Sequence, residues 1–391
     1  MKRLVALLAV LSLMFSLIPS AGAELTEAQR AETDKFFKGM YTRATAIGGA
    51  VLVNQGGERL YSFYWGAGDK KGTRPVDDDT VYKIASVTKM ISAIGIMKLV
   101  EEGKVDLDAK IPIGNNKFIT HPRYRDLPVT LRQCMSHTSG LLSGAPYQGS
   151  PNWTKLTKYD EKYFSRYKPG ARYEYSNLNG GVMCSVIERV SGQSFNTFMT
   201  ENVFSPLGIN AAYSSTLLPD REPLSNTYGM DDEVYMTAAK YIKEDEKNYE
   251  DTCDPDKHYR SSVGSLYISL AGLEKIGVML ARGGEVDGKR ILSEDSVFMM
   301  GQDQATRIDS TVTGESPYGL CTLRYEVEGV TWYGHQGRWM GLLTDLFYEP
   351  ESQTVLVFVM NGTPRGSVGR DVNQRVENAM IHITPWLNLG K

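Results

Sequence analysis

The sequence contains few cysteines and few histidines for its length. Cysteine occurs at 4 of 391 positions, and no two of the four form a Cys-x-x-Cys pair. The 5 histidines show neither a His-Glu-x-x-His motif nor the spacing typical of zinc ligands. The residue pattern therefore predicts no metal site.

The chain also lacks a surplus of positive charge. It has 43 basic and 46 acidic residues, a net charge of −3. Because proteins that bind nucleic acid need a basic surplus at the phosphates, we expect no nucleic-acid partner. Hydrophobic residues make up 41% and charged residues 23%, which is typical of a globular protein. After the first two dozen residues, no apolar run approaches the roughly 18 residues of a membrane span, so no transmembrane span is expected.

The first 23 residues have the features of a secretory signal peptide. Lys2 and Arg3 precede an apolar run over residues 4–18, and Ala21-Gly22-Ala23 forms a small-residue cleavage site. Cleavage after Ala23 would leave 391 − 23 = 368 residues with a net charge of 41 − 46 = −5. We therefore expect a secreted protein, extracellular or periplasmic. An uncleaved signal anchor is the alternative.

Export would permit disulfide bonds. Four cysteines allow three pairings, and the sequence favours none of these over four free thiols. The cysteines concerned are Cys134, Cys184, Cys253 and Cys321.

Hydrophobic patterns predict strands near both ends of the chain and helices in the middle. Two β-type runs, 48–53 and 60–65, flank an Asn-Gln-Gly-Gly turn and predict a hairpin. Further strands are predicted at residues 331–334, 342–348 and 354–360. Helices are predicted at residues 26–45, 86–102, 180–191, 271–282 and 371–383.

This order predicts an α/β (α+β) fold. One antiparallel sheet would be built from both termini, with flanking terminal helices and an inserted, mostly helical region. After the signal peptide at residues 1–23, one domain is expected over residues 24–391. Its sheet region would cover about 24–85 and 315–391, and its helical region about 86–314. Residues 231–260, rich in charge and tyrosine, are predicted to form a surface excursion.

Ser86-Val87-Thr88-Lys89 is the first motif that indicates chemistry. Ser-x-x-Lys alone is weak, and Ser165-Arg166-Tyr167-Lys168 is a second copy. Ser86, however, begins a strongly apolar helix, and the spacing places Lys89 one turn later on the same face. A serine at a helix N-terminus beside a desolvated lysine can be activated as a nucleophile. The second copy runs into Pro-Gly and cannot be helical.

Two later motifs complete the pattern. Tyr175-Ser176-Asn177 follows a turn and precedes a helix, and it supplies a hydroxyl for proton relay and an amide for a substrate carbonyl. Gly334-His335-Gln336-Gly337 lies on or beside a late strand, where the glycines would let a substrate backbone approach. Taken singly, each of these motifs is also typical of a turn or a helix cap.

Together the motifs resemble the serine β-lactamase and penicillin-binding-protein superfamily. The tyrosine follows the serine by 175 − 86 = 89 residues, and the histidine follows the tyrosine by 335 − 175 = 160. The closest resemblance is to the class C β-lactamase and DD-peptidase branch of β-lactamase-related serine hydrolases, which includes esterases and D-aminopeptidases. It extends over nearly the whole chain after the signal peptide, with supporting stretches at residues 129–133, 136–141, 175–180, 205–208 and 283–293.

The resemblance implies a role for each motif residue. Ser86 would be the nucleophile, with Lys89 and Tyr175 as its partners in proton transfer. Asn177 would bind the substrate amide and Lys89. The remaining implied substrate-binding residues are His335, Gln336 and Gly337, and the backbone N–H groups of Ser86 and Arg338 would form the oxyanion hole.

The third motif departs from the β-lactamases of this branch, which carry Lys-Thr-Gly there. His335 replaces the lysine and Gln336 replaces the threonine that helps to hold a substrate carboxylate. A histidine at this position resembles some DD-peptidases and related hydrolases. The departure therefore argues against efficient β-lactam hydrolysis. His137 resembles a family landmark that packs a loop and is not a catalyst.

The resemblance predicts an exported serine hydrolase that forms an acyl-enzyme without a metal or an organic cofactor. A DD-carboxypeptidase or a D-amino-acid-specific peptidase or amidase acting on cell-wall-type peptides is the favoured form. Its partners would be small peptide, amide or ester substrates, with β-lactams as acylating ligands. The alternatives are an esterase for small acyl esters and a penicillin-binding sensor with little turnover. A Gly-x-Ser-x-Gly elbow is absent from the sequence, which argues against an α/β-hydrolase.

Overall fold

The computed structural model describes residues 25–69, 71–112, 118–143, 163–229, 233–308, 315–363 and 370–386. The predicted signal peptide lies outside these residues. The strands are β1 (Gly48–Gln55), β2 (Glu58–Gly66), β3 (Val81–Lys83), β4 (Ala211–Ala212), β5 (Thr227–Tyr228), β6 (Val234–Met236), β7 (Tyr267–Ser269), β8 (Glu285–Val286), β9 (Lys289–Arg290), β10 (Ala305–Ile308), β11 (Glu315–Tyr318), β12 (Leu323–Val327), β13 (Val330–Trp339), β14 (Leu342–Glu349) and β15 (Thr354–Asn361).

Helices occupy much of the chain between β3 and β10 and also both ends of the described chain. They are α1 (Glu27–Arg43), α2 (Val87–Glu101), α3 (Leu131–Met135), α4 (Asn177–Ser191), α5 (Phe195–Met199), α6 (Ser205–Leu207), α7 (Ala238–Asn248), α8 (Ser261–Gly264), α9 (Leu270–Ala281), α10 (Glu294–Gly301) and α11 (Arg370–Ile383). A π-helical turn, Thr200–Phe204, joins α5 to α6. Short 3₁₀ turns cover Ser215–Leu217 and Thr384–Trp386.

The main sheet combines strands from both ends of the chain, which confirms the predicted architecture. Its order is β10-β11-β12-β13-β14-β15-β1-β2, and all its pairs are antiparallel. The N-terminal strand β1 pairs with the C-terminal strand β15, with Ala50 opposite Val359. The hairpin of β1 and β2 is also as predicted.

Strands β10, β11 and β12 and the end of strand β13 were not predicted. Strands β10 and β11 have only four residues each, and β11 contains Pro317, which cannot donate to a ladder. Strand β13 continues to Trp339, five residues beyond the predicted end at Gly334. Glycines at positions 334 and 337 weaken its strand signal, although both are within the ladder with β14.

The sheet separates two hydrophobic cores. On one face α2 and α9 pack against it, and nearly all of α2 is buried. On the other face, Phe37 and Tyr41 of α1 and Met380 of α11 pack against strands β1, β14 and β15. The helix α1 begins at a capping box in which Thr26 and Gln29 bond to each other's backbone. The terminal helices thus cover the face opposite the inserted region.

The inserted region has more regular structure than the sequence predicted. Its small sheet of β3, β7 and β4 brings Val81, just before the Ser86 motif, against Ser269. Residues 231–260 are largely exposed where described, as predicted, but they contain β6 and the eleven-residue helix α7. Tyr241 of α7 is buried in a small core, which explains why this charged segment is ordered.

The four cysteines are free thiols, and three of them are buried, with Cys253 exposed. In the part of the chain that is described, no helix combines the length and apolar character that a membrane crossing demands.

Candidate active site

Ser86 lies at the turn that joins β3 to α2. Its backbone (φ −70°, ψ −11°) is already helical, and its side chain makes no capping hydrogen bond. The preceding Ala85 has a φ of +47°, a left-handed conformation that costs a non-glycine residue about 1–2 kcal/mol. Because Ser86 Oγ does not cap its own helix, it is left to interact with side chains around the cleft.

Lys89 follows one turn later and is 0% exposed. Its Nζ donates to Ser86 Oγ at 3.0 Å and to the carbonyl oxygen of Val263 at 2.8 Å. Among the described residues, its hydrogen-bond partners are therefore both neutral. The Val263 carbonyl belongs to α8 and fixes the amine beside the serine.

Tyr175 reaches Ser86 from the segment before α4. Its Oη donates to Ser86 Oγ at 3.1 Å, and its ring centroid lies 5.1 Å from Lys89 Nζ, a cation–π distance. The side chain is 42% exposed, so it borders the open cleft. One serine oxygen thus lies within hydrogen-bond distance of two groups that can exchange a proton with it.

His137 holds Tyr175 in place through both backbone and ring. Its carbonyl accepts from Glu174 N at 2.8 Å, and its Nδ1 accepts from Ser176 N at 3.3 Å. The centroids of the His137 and Tyr175 rings are 4.2 Å apart, and His137 has a φ of +56°. His137 is 1% exposed and is placed to position the tyrosine rather than to contact substrate. The sequence predicted a loop-packing role but not this contact.

Asn177 begins α4 beside the cleft. Its backbone N–H donates to Ser143 Oγ at 2.6 Å. Its Oδ1 is buried and has no hydrogen-bond partner in the described chain. The resemblance implied a bond between Asn177 and Lys89, but the hydrogen bonds of Lys89 go to Ser86 and Val263. The structure therefore leaves this amide oxygen buried, and Asn177 is not among the described residues that line the cavity at Ser86.

Strand β13 brings the third motif against the start of α2. A Cβ built on Gly337 would overlap the Ile84 carbonyl and Thr344 Oγ1 and would lie 3.2 Å from Ser86 N. This close approach places the backbone at Gly337 and Arg338 next to the nucleophile. Strand β12 ends its pairing with β13 at Gly334, so among the described strands the following edge of β13 is paired only on its β14 side.

His335 and Gln336 are held mainly by protein partners. His335 Nδ1 lies 2.6 Å from the Gln336 carbonyl, and its Nε2 lies 3.2 Å from Tyr318 Oη. The short distance to a carbonyl indicates that Nδ1 carries a proton. Gln336 Oε1 accepts from Tyr325 Oη at 3.4 Å. Both motif side chains are largely buried, at 3% and 9% exposure.

A cavity of about 240 Å³ opens at Ser86. Besides residues of the three motifs, it is lined by Tyr173, Tyr318 and Leu323, which the sequence did not single out. Beyond Arg338, the half-exposed rings of Trp339 and Tyr235 meet edge to face at 6.0 Å. Trp339 is two residues after Gly337, so the two residues lie on the same face of β13, about 7 Å apart. An aromatic surface therefore flanks the nucleophile.

Asp345 is a buried acid behind the site, directly opposite Gln336 in the ladder. Burial raises its pKa to about 8, and the charge of Arg338 opposes this rise. Its side chain is therefore protonated near neutral pH and adds no negative charge beside the cleft. Among the described residues, no three His, Cys, Asp or Glu side chains are grouped as metal ligands.

Replacing Gly337 with alanine should separate β13 from the start of α2. The added Cβ would overlap the Ile84 carbonyl, so the strand must shift, and a shift of about 1 Å can cost about 10²-fold in rate. We expect kcat/KM to fall by about 10- to 100-fold and thermal stability to fall with it. Gly229→Ala is the matched control, because its Cβ would meet its nearest atom at an ordinary 3.6 Å. Equal activities of both variants would contradict this geometry.

A family profile described as Beta-lactamase matches residues 33–380, so the chain belongs to the beta-lactamase family. Among curated relatives, Esterase EstB of Burkholderia gladioli is 29% identical over 56% of this chain and 60% of its own length. The D-alanyl-D-alanine-carboxypeptidase/endopeptidase AmpH of Escherichia coli is 28% identical over 54% of this chain and 56% of its own length. The matched regions thus span little more than half of these relatives.

A solved structure gives the same fold over a wider range. The D-amino acid amidase of Ochrobactrum anthropi superposes on 92% of this chain and 99% of its own, with a TM-score of 0.72 at 18% identity. At this identity the likeness concerns the fold alone. It agrees with the predicted fold class.

Proposed function

We propose that the protein is an exported serine hydrolase that forms an acyl-enzyme at Ser86. The observation that carries the proposal is the position of Ser86 Oγ, 3.0 Å from Lys89 Nζ and 3.1 Å from Tyr175 Oη. The strained turn at Ala85 and the contact of His137 with Tyr175 support it, because both features orient reacting groups.

In the proposed reaction, Ser86 Oγ attacks the substrate carbonyl carbon as its proton passes to a deprotonated partner, either the neutral amine of Lys89 or the phenolate of Tyr175. The oxyanion would be bound by the backbone N–H groups of Ser86 and Arg338. The bond to the leaving group then breaks, and the leaving nitrogen takes the proton. Water then attacks the acyl carbon and gives a proton to the same base. The bond between the acyl carbon and Ser86 Oγ breaks, Ser86 Oγ takes that proton, and the carboxylic acid leaves.

We propose a peptide or amide that contains a D-amino acid as the substrate class. The names of the carboxypeptidase/endopeptidase relative and of the structurally similar amidase support this class. The edge of β13 after Gly334 can pair with an extended substrate backbone. The Tyr235–Trp339 surface favours apolar or aromatic side chains.

An esterase for small acyl esters is the second candidate. The Burkholderia relative bears that name. His335 and Gln336 stand where related β-lactamases carry a lysine and a threonine. A small ester substrate has no carboxylate to bind, so the absence of the lysine and the threonine is equally compatible with an esterase.

Purified protein without residues 1–23 should distinguish these candidates in one panel. The panel contains D- and L-phenylalanine amide, D-alanyl-D-alanine, a p-nitrophenyl ester and a chromogenic β-lactam. The proposal predicts turnover of D-configured amides or peptides and little β-lactam hydrolysis. Turnover of the ester alone would favour the esterase, and a single stoichiometric burst with every substrate would indicate a sensor. N-terminal sequencing of protein recovered from outside the cytoplasm tests the predicted cleavage after Ala23.

His335→Lys tests how the site treats a substrate carboxylate. A lysine amine can donate to both the Gln336 carbonyl and Tyr318 Oη, and it adds a permanent charge. A lysine amine, with a reference pKa of about 10.4, stays cationic at ordinary pH. At pH of about 8 the variant should therefore lower KM for a carboxylate-bearing peptide by about fivefold, the equivalent of about 1 kcal/mol.

The p-nitrophenyl ester is the control for this variant, because it has no carboxylate and its KM should stay nearly constant. Measuring both substrates at pH of about 5.5 and 8 separates the charge effect from general damage. Equal losses on peptide and ester would show that His335 serves only to bridge its protein partners.

A further inference from the structure

A buried acid–base pair lies behind Lys89, on the side of α4 away from solvent. His258 Nδ1 is 2.9 Å from Glu188 Oε1, with the side chains 6% and 0% exposed. Glu188 belongs to α4, and His258 lies three residues before α8. The same Glu188 oxygen accepts from Phe195 N at 2.8 Å. Glu188 Oε2 has no hydrogen-bond partner within the described ranges.

The pair is connected to Lys89 through the backbone of residues 258–263, which hydrogen bonds hold at both ends. The His258 carbonyl accepts from Ser261 N at 2.8 Å, at the first residue of α8, and from Cys184 Sγ at 3.2 Å. Two residues further, the Val263 carbonyl accepts from Lys89 Nζ at 2.8 Å. Moving His258 would therefore move the carbonyl that fixes the lysine.

The segment 258–264 fits closely against α4. Ser262 Oγ donates to the Gly180 carbonyl at 2.7 Å. A Cβ on Gly180 would lie 3.2 Å from Val263 Cγ2 and 3.3 Å from Lys89 Cε, so the packing here is tight. Helix α4, the segment and the lysine are thus in direct contact, so a change at Glu188 can reach Lys89 without crossing solvent.

We propose that the Glu188–His258 pair is a positioning device for Lys89, which it keeps aimed at Ser86 by fixing the Val263 carbonyl. The proposal rests on the proposed acyl-enzyme function. Neither residue touches the substrate cavity, so both act through Lys89. Charged and titratable groups near the pair on the packed elements are Cys184, Arg189, Tyr213, Tyr249, Glu250, Asp251, Cys253, Asp254 and Asp256.

The protonation of His258 gives the device a pH dependence. Burial alone would lower its pKa, but the hydrogen bond and the charge of Glu188 outweigh burial and raise the pKa above the ordinary 6.5. The raised value means that the cationic form stabilises the fold fully below pH of about 6.5. This stabilisation is lost as the pH rises through the folded pKa, and kcat should decline over the same interval.

The test uses His258→Gln and Glu188→Gln, each with kcat and KM for a p-nitrophenyl ester from pH 5 to 9.5. Each variant should lower kcat by about tenfold, which is 1.4 kcal/mol of transition-state stabilisation, with KM changed less than twofold. The alkaline decline due to His258 should disappear in both. The double variant should recover part of the lost kcat, because a neutral pair leaves no unmatched buried charge.

His382→Gln is the matched control. This half-buried histidine of α11 also makes a side-chain hydrogen bond, to Thr33 at 3.1 Å, but it lies on the opposite face of the sheet. It should lower the melting temperature without changing the pH profile. If His258→Gln does not fold, Glu188→Gln and the double variant still provide the comparison.

Two outcomes would overturn the proposal in distinguishable ways. If the wild type turns over the ester and the pair variants lose only thermal stability, with an unchanged pH profile, the pair is structural and the positioning role fails alone. If the wild type neither turns over the panel nor is acylated at Ser86, the proposed function fails and the positioning role fails with it.

Discussion

Ser86→Ala should reduce kcat/KM for the best substrate of the panel by about 10⁴-fold or more, the scale of nucleophile loss in other serine hydrolases. The loss is large because Lys89 and Tyr175 both donate a hydrogen bond to Ser86 Oγ. Alanine removes one oxygen at the start of an otherwise buried helix, so the fold should survive. Steady-state kinetics with a melting curve would check both statements.

Ser165→Ala is the matched control, because Ser165 begins the other Ser-x-x-Lys sequence. Ser165 is buried, its Oγ accepts from Tyr167 N at 3.0 Å, and it does not begin a helix. Its replacement should leave kcat/KM within about twofold of the wild type. A large loss in Ser165→Ala with a small one in Ser86→Ala would reverse the assignment.

Tyr175→Phe should lower kcat by about 10²–10⁴-fold, the usual contribution of a general acid–base group. The change removes only the hydroxyl that lies 3.1 Å from Ser86 Oγ. The ring contacts with His137 at 4.2 Å and with Lys89 remain possible, so the melting temperature should hardly change. Pre-steady-state acylation with a chromogenic ester measures the affected step directly.

Tyr173→Phe provides the comparison for this variant. Tyr173 lines the same cavity and its ring packs on His137 at 5.8 Å, but no hydrogen bond joins it to Ser86. The Tyr173→Phe change should lower kcat by less than about threefold. A similar small cost in Tyr175→Phe would mean that Tyr175 shapes the cavity and does not relay protons.

Local pattern predicted the five longest helices and five of the eight strands of the main sheet. The helix before Gly103 and the strands of the β1–β2 hairpin have strong periodic signals that tertiary contacts reinforce. The end of β13 was missed because its glycines are needed for contact across the site, at Gly337 against Ile84. At Gly337, the close approach of β13 to the start of α2 requires a glycine, although glycine has a low strand propensity.

Local geometry alone predicted the site only where one short segment carries the chemistry, whereas the role of Tyr175 beside Ser86 came from the family resemblance. Ser86 and Lys89 are one helical turn apart, so their contact follows from helix geometry. The Val263 carbonyl is 174 positions from Lys89. A backbone carbonyl carries no residue signature, so no pattern could have identified it. The sequence singled out His137, but its contacts with Tyr175 depend on the fold.

The central claim is that the substrate's acyl group is transferred to Ser86, and trapping that intermediate tests it most directly. Wild-type protein mixed with a good substrate is acid-quenched within milliseconds and measured by intact mass, and then digested and mapped. We predict a mass increase equal to one acyl group, located on Ser86, that appears before product and decays with turnover. Full turnover without any adduct, or an adduct on another residue such as Ser165, would contradict the account.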